Sequence, residues 1–173
     1  MAIREIKKYP EEVLREKTAP VKEFDSELQK LIDDMIETMY AAPGVGLAAN
    51  QVGVSKQVTV IDVRVGEEKS SLIVLVNPEI VHREGDCTSE EGCLSLPDYT
   101  TIVKRAEKVK VKGLDREGQP IEIDADGFLA RAIQHEIDHL NGFLLIDRIG
   151  RIKREFFRKR YAREKALSGT SNS

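Results

Sequence analysis

The chain has 173 residues, of which 40% are hydrophobic and 33% are charged, and this composition is typical of a single globular domain. No stretch approaches the roughly 20 apolar residues of a membrane helix, and the charged N-terminus lacks the apolar region of a signal peptide, so we expect a cytoplasmic protein with no membrane partner. The net charge of −3 is uneven, because residues 148–165 carry nine Lys or Arg against two acids.

The first half of the chain is predicted to contain one strong helix and a stretch of small residues. Ser26 and Gln29 match a capping box, and an apolar stripe at helical spacing follows until Pro43 and Gly44 end the helix. The next stretch, GVGLAANQVG, has glycines and alanines that let another backbone approach closely. It lacks the fingerprint of a phosphate-binding loop, so it is a weak signal alone, and it leaves Gln51 as an unexplained polar residue.

The middle of the chain is predicted to be mostly strand, because runs rich in Val and Ile alternate with turn residues. The predicted strands are residues 57–63, 72–76, 79–84, 101–113 and 121–123, with turns at 66–71 and 115–118. A second helix is predicted to begin at Asp124 or Asp126 and to end at Gly142. Because no internal repeat is visible, we expect one domain over residues 1–167 and a disordered tail over 168–173.

The second helix carries the pattern H-E-x-x-H. His135 and His139 are four residues apart, so on a helix they lie on one face and can bind one metal ion from adjacent turns. Glu136 lies at the flank of that face, where it can act as a general base towards an activated water. A pattern this short also arises by chance, but two of the three histidines of the chain belong to it.

A third metal ligand is needed, because a catalytic site of this type has three protein ligands and one open position. The extended metalloprotease pattern fails, since Leu145 stands where its third His would be. His82 lies in an alternating strand and is typical of a structural residue. Cys93, within the bend-forming stretch EGCLSLP, is the best candidate, whereas Cys87 lacks such a setting. A metalloprotease of broader specificity remains the alternative at this point.

Three segments together carry a resemblance to a known family: GVGLAANQVG, EGCLSLP and QHEIDHL. In this order and separation they closely resemble the motifs of the bacterial type of peptide deformylase, and the resemblance extends to about residue 150. It implies an α+β fold in which antiparallel sheets surround a central metal-binding helix, with a C-terminal helix after it. It also implies a hydrolase that removes the N-formyl group from the initiator methionine of nascent polypeptides and releases formate.

The resemblance also implies the role of each motif residue. One divalent metal ion, usually iron(II), with zinc, nickel or cobalt able to replace it, has as its ligands Cys93, His135 and His139. Glu136 is the general base. The side-chain amide of Gln51 and the backbone N–H of Leu94 donate to the oxyanion of the tetrahedral intermediate.

The substrate is expected to bind as an added strand beside small residues of two motifs, at Val45, Gly46 and Gly92. Its methionine side chain is expected to enter a pocket lined by Phe128 and Ala132, which share the helix face of His135. Thr100 stands where some relatives have an arginine. Arg131 is predicted either to line the mouth of this pocket or to point to solvent, and the pattern slightly favours solvent.

The basic segment, residues 148–165, is predicted to form an amphipathic helix with one apolar side. The apolar side is expected to consist of Ile149, Ile152, Phe156, Phe157 and Tyr161. The remaining positive surface suits RNA phosphates and predicts docking on the ribosome, where nascent N-termini emerge. The competing interpretation is a solvated charged helix packed on the domain.

Overall fold

The computed structural model describes residues 2–64 and 71–171, with side chains up to residue 166; the predicted turn at 66–71 therefore falls almost entirely outside it. Within this part of the chain, five strands form one sheet in the order β1-β2-β3-β6-β7, and two strands form a separate hairpin, β4-β5. The strands are β1 (Gly46–Ala48), β2 (Val58–Ile61), β3 (Ile73–Glu84), β4 (Cys87–Cys93), β5 (Leu96–Arg105), β6 (Lys108–Leu114) and β7 (Pro120–Asp126). The α-helices are α1 (Ser26–Ala41), α2 (Gly127–Leu140) and α3 (Arg151–Ser171). Adjacent strands are antiparallel throughout, which confirms the predicted α+β fold.

The five-stranded sheet lies between helices α1 and α2. Side chains alternate between the two faces of a strand. On β2, Val58 and Val60 belong to the core cluster that includes the apolar side of α1, whereas Ile61 belongs to the cluster that includes the apolar side of α2. Helix α2 is therefore packed by its apolar side against one face of the sheet, and its other side, which carries the two predicted histidine ligands, remains available for chemistry.

Helix α1 begins at Ser26, so both its first residue and its cap lie one residue earlier than the predicted capping box placed them. The side chain of Asp25 accepts a hydrogen bond from the Leu28 N–H at 3.0 Å, so Asp25 is the N-cap and the predicted capping box of Ser26 and Gln29 is wrong. A carboxylate is a stronger acceptor than a hydroxyl at this position. Gln29 instead accepts a hydrogen bond from Arg116, at 2.8 Å.

The predicted strand over residues 101–113 is in fact two strands in different sheets. β5 pairs with β4, and β6 pairs with β3 and β7. Between them, the backbone of Ala106 exchanges two hydrogen bonds with the Gln134 side chain of α2, at 3.0 and 2.9 Å. Polar and apolar residues continue to alternate through this junction, so the sequence pattern could not show that one strand ends and another begins here. The predicted strands at 72–76 and 79–84 are, by contrast, one strand, β3, with an irregularity at residues 77–78.

The C-terminal helix begins at Arg151, three residues later than predicted, and runs to Ser171. Phe157 is buried and packs edge-on against the rings of Tyr9 and Tyr99. Ile152 and Phe156 are 74% and 69% exposed, so the prediction of a single apolar side is wrong for these two residues. The helix includes residues 168–171 of the predicted tail, and residues 172–173 lie outside the description; the domain boundary at 167 stays a prediction.

Helix α3 is long but strongly charged. None of the helices in the described residues combines the length and the apolar character that a membrane span requires.

Candidate metal centre and active site

Three side chains from two elements converge on one point. Cys93 ends strand β4, and His135 and His139 lie on successive turns of α2. The Cys93 Sγ is 3.2 Å from the His139 Nε2, which is 3.1 Å from the His135 Nε2. All three ligand atoms lie within 4.8 Å of one another. Metal bonds of about 2.0–2.3 Å in a tetrahedron separate ligand atoms by roughly 3.3–3.8 Å, so the residues fit a single ion of this kind.

The protonation of this group is linked to metal binding. Burial would raise the pKa of the Cys93 thiol, but the neighbouring His139 and His135 rings outweigh it and hold this pKa well below its usual value. The thiolate is the form that binds metals. Burial would lower the pKa of His135, yet hydrogen bonds with Cys93 and Glu91 raise it to about 10. A metal ion that binds here therefore displaces a proton from this ring.

Glu136 lies next to these ligands and is almost completely buried. Its Oε1 is 4.0 Å from the His135 Nε2, and its Oε2 has no hydrogen-bond partner among the described residues. Burial raises the pKa of this carboxyl above its usual value. Gly46 on β1 makes room for it, because a Cβ added at Gly46 would lie 2.8 Å from the Glu136 Oε1. An unpaired buried oxygen of this kind is available to a water molecule or a substrate.

Gln51 reaches the centre from the short 3-10 helix Ala49–Val52 that follows β1. Its Oε1 accepts a hydrogen bond from the Ala48 N–H at 3.0 Å, which fixes the direction of the amide. Its Nε2 donates to the Ser95 Oγ at 3.1 Å and lies 3.7 Å from the Cys93 Sγ. The side-chain amide is thus held with its nitrogen beside the Cys93 sulfur. Leu94 lies between Cys93 and Ser95 in the same turn.

The centre opens into a cleft of about 480 Å³. The cleft is lined, among others, by all five residues predicted to contact the substrate: Val45, Gly46, Gly92, Phe128 and Ala132. Phe128 is half exposed at the mouth, whereas Ala132 is buried deeper on the same helix. Arg131 also lines the cleft, so of the two positions left open for it, the pocket mouth is the one observed.

Comparison with known proteins now places this geometry in a family. The polypeptide deformylase family model matches residues 3–155. A peptide deformylase of Thermodesulfovibrio yellowstonii is 62% identical over 165 residues, which cover 95% of this chain and all of that protein. The crystal structure of a peptide deformylase from Legionella pneumophila has a TM-score of 0.89 at 52% identity and covers 97% of this chain and 98% of its own.

The chain belongs to the polypeptide deformylase family.

Membership decides between the two activities that the H-E-x-x-H pattern left open. The chain is a metal-dependent hydrolase that removes the N-formyl group from nascent peptides, and not a metalloprotease of broader specificity. The structure of the Ehrlichia chaffeensis peptide deformylase in complex with actinonin is also similar, with a TM-score of 0.87 at 36% identity over 95% of this chain and 98% of that one. The family, the fold and the activity that the three motifs implied are therefore confirmed.

A group of charged residues around His135 was not identified from the sequence. Glu91 on β4 lies with its Oε1 3.1 Å from the His135 Nδ1, so that Nδ1–H donation leaves the Nε2 free for the metal. Arg105 donates two hydrogen bonds to Glu91, at 2.8 and 2.9 Å, and one to Asp138 at 2.8 Å. Arg148 donates to both carboxylate oxygens of Asp138, at 2.9 and 2.6 Å. Glu91 stands two residues before Cys93 in the second motif, and Asp138 stands next to His139 in the third, which was the signal that could have identified them.

Ser95 belongs to the same motif, EGCLSLP, and its role was not predicted from the sequence. Its N–H donates to the Cys93 Sγ at 3.4 Å, and its hydroxyl accepts the hydrogen bond from Gln51. Hydrogen bonds to a thiolate ligand stabilise its charge and hold its position. Asn50 has a similar supporting position, since its side chain donates to the His139 carbonyl oxygen.

Proposed function

We propose that Cys93, His135 and His139 hold one divalent metal ion at which the formyl group is hydrolysed. The observation that carries this proposal is the convergence of a thiolate and two imidazole Nε2 atoms beside a buried carboxylate with an unpaired oxygen. A divalent metal ion supplies a nucleophile near neutral pH, because it lowers the pKa of a water molecule. The donor set of one sulfur and two nitrogens suits iron or zinc better than magnesium or calcium.

Glu136 acts as the general base. Its Oε2 accepts the proton of the attacking water, and the same oxygen then gives the proton to the leaving amine nitrogen. Its raised pKa suits this exchange, because a carboxyl with a pKa closer to neutrality can both accept and return a proton. The close approach of Gly46 keeps the carboxyl in one position.

Gln51 and Leu94 stabilise the oxyanion that forms as the formyl carbonyl is attacked. The Gln51 amide is oriented before the substrate arrives, by the Ala48 N–H and by Ser95. Donors that need no reorganisation are the effective ones in catalysis. The backbone N–H of Leu94 lies in the turn between β4 and β5, next to the sulfur ligand, and completes the pair.

The substrate backbone extends along the cleft as an additional strand. Gly46 on β1 and Gly92 on β4 border the two sides of the cleft, and Val45 lies at its rim. Glycine permits close approach there, since a side chain would occupy the space that the peptide needs. The methionine side chain is received by Phe128 and Ala132, an apolar wall that its flexible thioether can follow.

The metal assignment is tested by metal analysis of anaerobically purified protein together with formate release from formyl-Met-Ala-Ser. We expect close to one iron per chain and loss of stoichiometric metal in Cys93→Ser, with Cys87→Ser as the matched control. A full metal content in Cys93→Ser would contradict the ligand set. Oxygen should inactivate the iron protein faster than a nickel-substituted one, and equal half-lives in air would contradict iron as the working metal.

The whole region 1–167 acts as one catalytic domain in the cytoplasm, and α3 holds it on the ribosome. Two apolar side chains, Ile152 and Phe156, are exposed on α3 among its basic residues. Lys159 and Arg163 are exposed on the same helix, and the charge of the segment favours RNA phosphates. The packing of Phe157 ties the helix to the domain, so that both move together.

Ribosome docking is tested by charge reversal rather than truncation, because truncation would also remove Phe157 from the core. The double variant Lys159→Glu/Arg163→Glu should lose co-sedimentation with ribosomes at low salt and keep formate release. The matched control is Lys22→Glu/Lys30→Glu, which reverses two exposed charges elsewhere. Equal sedimentation of the parent and both double variants at low salt would remove the ribosome as a partner and leave the hydrolase function untouched.

A further inference from the structure

Arg131 places a positive charge inside the cleft. It lies on α2 one turn before His135 and lines the same cleft as Phe128 and Glu136. Its side chain is half-buried, and its guanidinium carbon lies 5.6 Å from the centre of the Phe128 ring. A cation–π contact of this kind uses none of the N–H donors of the guanidinium in a hydrogen bond, so they can bind something else.

The charge of Arg131 is not neutralised by its surroundings. Among the described residues it has no ion pair and forms no hydrogen bond through its side chain, although four carboxylates line the same cleft. Glu91 is already bound by Arg105, and Glu136 is buried beside the metal ligands. Glu90 and Asp98 are exposed, and neither forms an ion pair or a hydrogen bond with Arg131 among the described residues. The other residues that line the cleft include no Lys and no further Arg.

We propose that Arg131 is a specificity-determining residue that binds a carboxylate of the formylated peptide. The inference rests on the proposed function, since it concerns the peptide whose methionine enters beside Phe128 and Ala132. Arg131 adjoins Ala132 on α2 and lines the same cleft, so we expect an Asp or Glu side chain at the second or third position of that peptide to come within reach of the guanidinium. Arginine suits this role, because its N–H groups match a carboxylate in a bidentate arrangement.

The carboxylate could also be the C-terminal one of a short peptide, which offers the same chemistry. The experiment therefore uses formyl-Met peptides with amidated C-termini that carry Glu or Gln at position two, or Glu or Gln at position three. A further pair differs only in a free or an amidated C-terminus. We expect about a threefold to tenfold higher kcat/KM for Glu than for Gln at one of the two positions, mainly through KM, as for a partly exposed ion pair.

Substitutions then assign this preference to one residue. Arg131→Ala should abolish the difference between Glu and Gln, and Arg131→Glu should invert it. Arg131→Lys should keep only part of the preference, because it lacks the bidentate geometry. Arg83→Glu, which reverses an exposed charge on β3 outside the cleft, should leave the preference unchanged.

The possible outcomes separate the inference from the function on which it rests. Equal kcat/KM for the Glu and Gln peptides in the parent, or the same ratio in the parent and Arg131→Glu, would overturn the inference alone. A preference seen only for the free C-terminus and lost in Arg131→Ala would support carboxylate binding and identify its source as the chain end. If the parent released no formate from any of the peptides, the proposed function would fail as well.

Discussion

Asp34 on α1 and Glu136 on α2 are two carboxylates buried on two amphipathic helices, and the protein treats them in opposite ways. Their exposures are 2% and 4%. Both oxygens of Asp34 are bound, by the Ala2 N–H at 2.8 Å and by Arg4 at 2.9 Å. Glu136 has an oxygen without a partner among the described residues. The two side chains thus have similarly low solvent exposure but differ in how many of their oxygens accept a hydrogen bond.

The pKa values of the two carboxyls are shifted in opposite directions. Burial would raise the pKa of Asp34, but the Ala2 N–H and Arg4 outweigh it and lower this pKa below its usual value. Burial also raises the pKa of Glu136, and there the charged neighbours do not reverse it. A fully paired carboxylate stabilises the fold, whereas one left partly unpaired is costly for the fold and available for proton transfer. The following predictions test this difference.

The largest effect is expected at Glu136. Glu136→Gln keeps the shape and removes the proton carrier, so turnover should fall roughly 10²–10⁴-fold or more while the metal content stays unchanged. The melting temperature of Glu136→Gln should not fall below that of the parent, because the variant no longer buries an unpaired carboxyl. Formate release, metal analysis and a melting curve check the three parts. Near-normal turnover with metal bound would remove Glu136 from the mechanism.

A smaller loss of activity is expected from Gly46→Ala. The added Cβ would lie within 3.0 Å of three atoms of the Glu136 side chain, so the carboxyl must move. A displacement of this size at a catalytic group costs about 10- to 100-fold in turnover. Gly150→Ala is the control, since nothing lies within 4 Å of its added Cβ. If Gly46→Ala and Gly150→Ala had the same kcat, Glu136 would not depend on this close contact.

At Asp34 we expect a loss of stability with little loss of activity. Asp34→Asn removes the charge that Arg4 and the Ala2 N–H bind, and should lower the free energy of unfolding by about 1–3 kcal/mol. Its neighbour Asp33, whose ion pair with Arg116 is partly exposed, provides the control. Asp33→Asn should cost about 0–1 kcal/mol, as for surface pairs. Urea denaturation measures both, and equal losses would contradict the role assigned to burial.

The smallest effect concerns pH. Because the pKa of Asp34 is lower in the folded than in the unfolded chain, its contribution to stability is complete above the unfolded value of about 3.9. This contribution is lost as the pH falls through the folded value. The difference in unfolding free energy between the parent and Asp34→Asn should therefore be constant at pH 5–7 and shrink below about pH 4. A difference that grew as the pH fell would reverse the sign of the assigned shift.

Features with a local pattern were predictable from the sequence. Helix spacing puts residues four apart on one face, so His135, His139 and the flank position of Glu136 could be assigned without knowing the fold. Elimination among the possible ligands favoured Cys93 as the third one, and the resemblance of the three motifs added the family, which the comparisons confirmed. Helix α1 and most strands also follow from periodicity, because each is defined by residues close together in the chain.

The tertiary structure decided which distant residues meet. Strands β5 and β6 look like one alternating run, and only their partners reveal that they belong to two sheets. Glu91, Arg105 and Asp138 are ordinary acids and bases in sequence, but antiparallel pairing and the packing of α2 bring them together around His135.

The same reason explains the positions of Arg131 and Phe156. Helical spacing gives the direction of a side chain relative to its own helix, but not what covers that direction. Arg131 faces the cleft because the β4-β5 hairpin lies opposite that part of α2, and Phe156 is exposed because the domain covers only the side of α3 that carries Phe157. Whether a side chain is buried depends on the neighbours that the fold places around it. The free energy of a charged group or an aromatic ring therefore depends on those neighbours more than on where the residue stands in the chain.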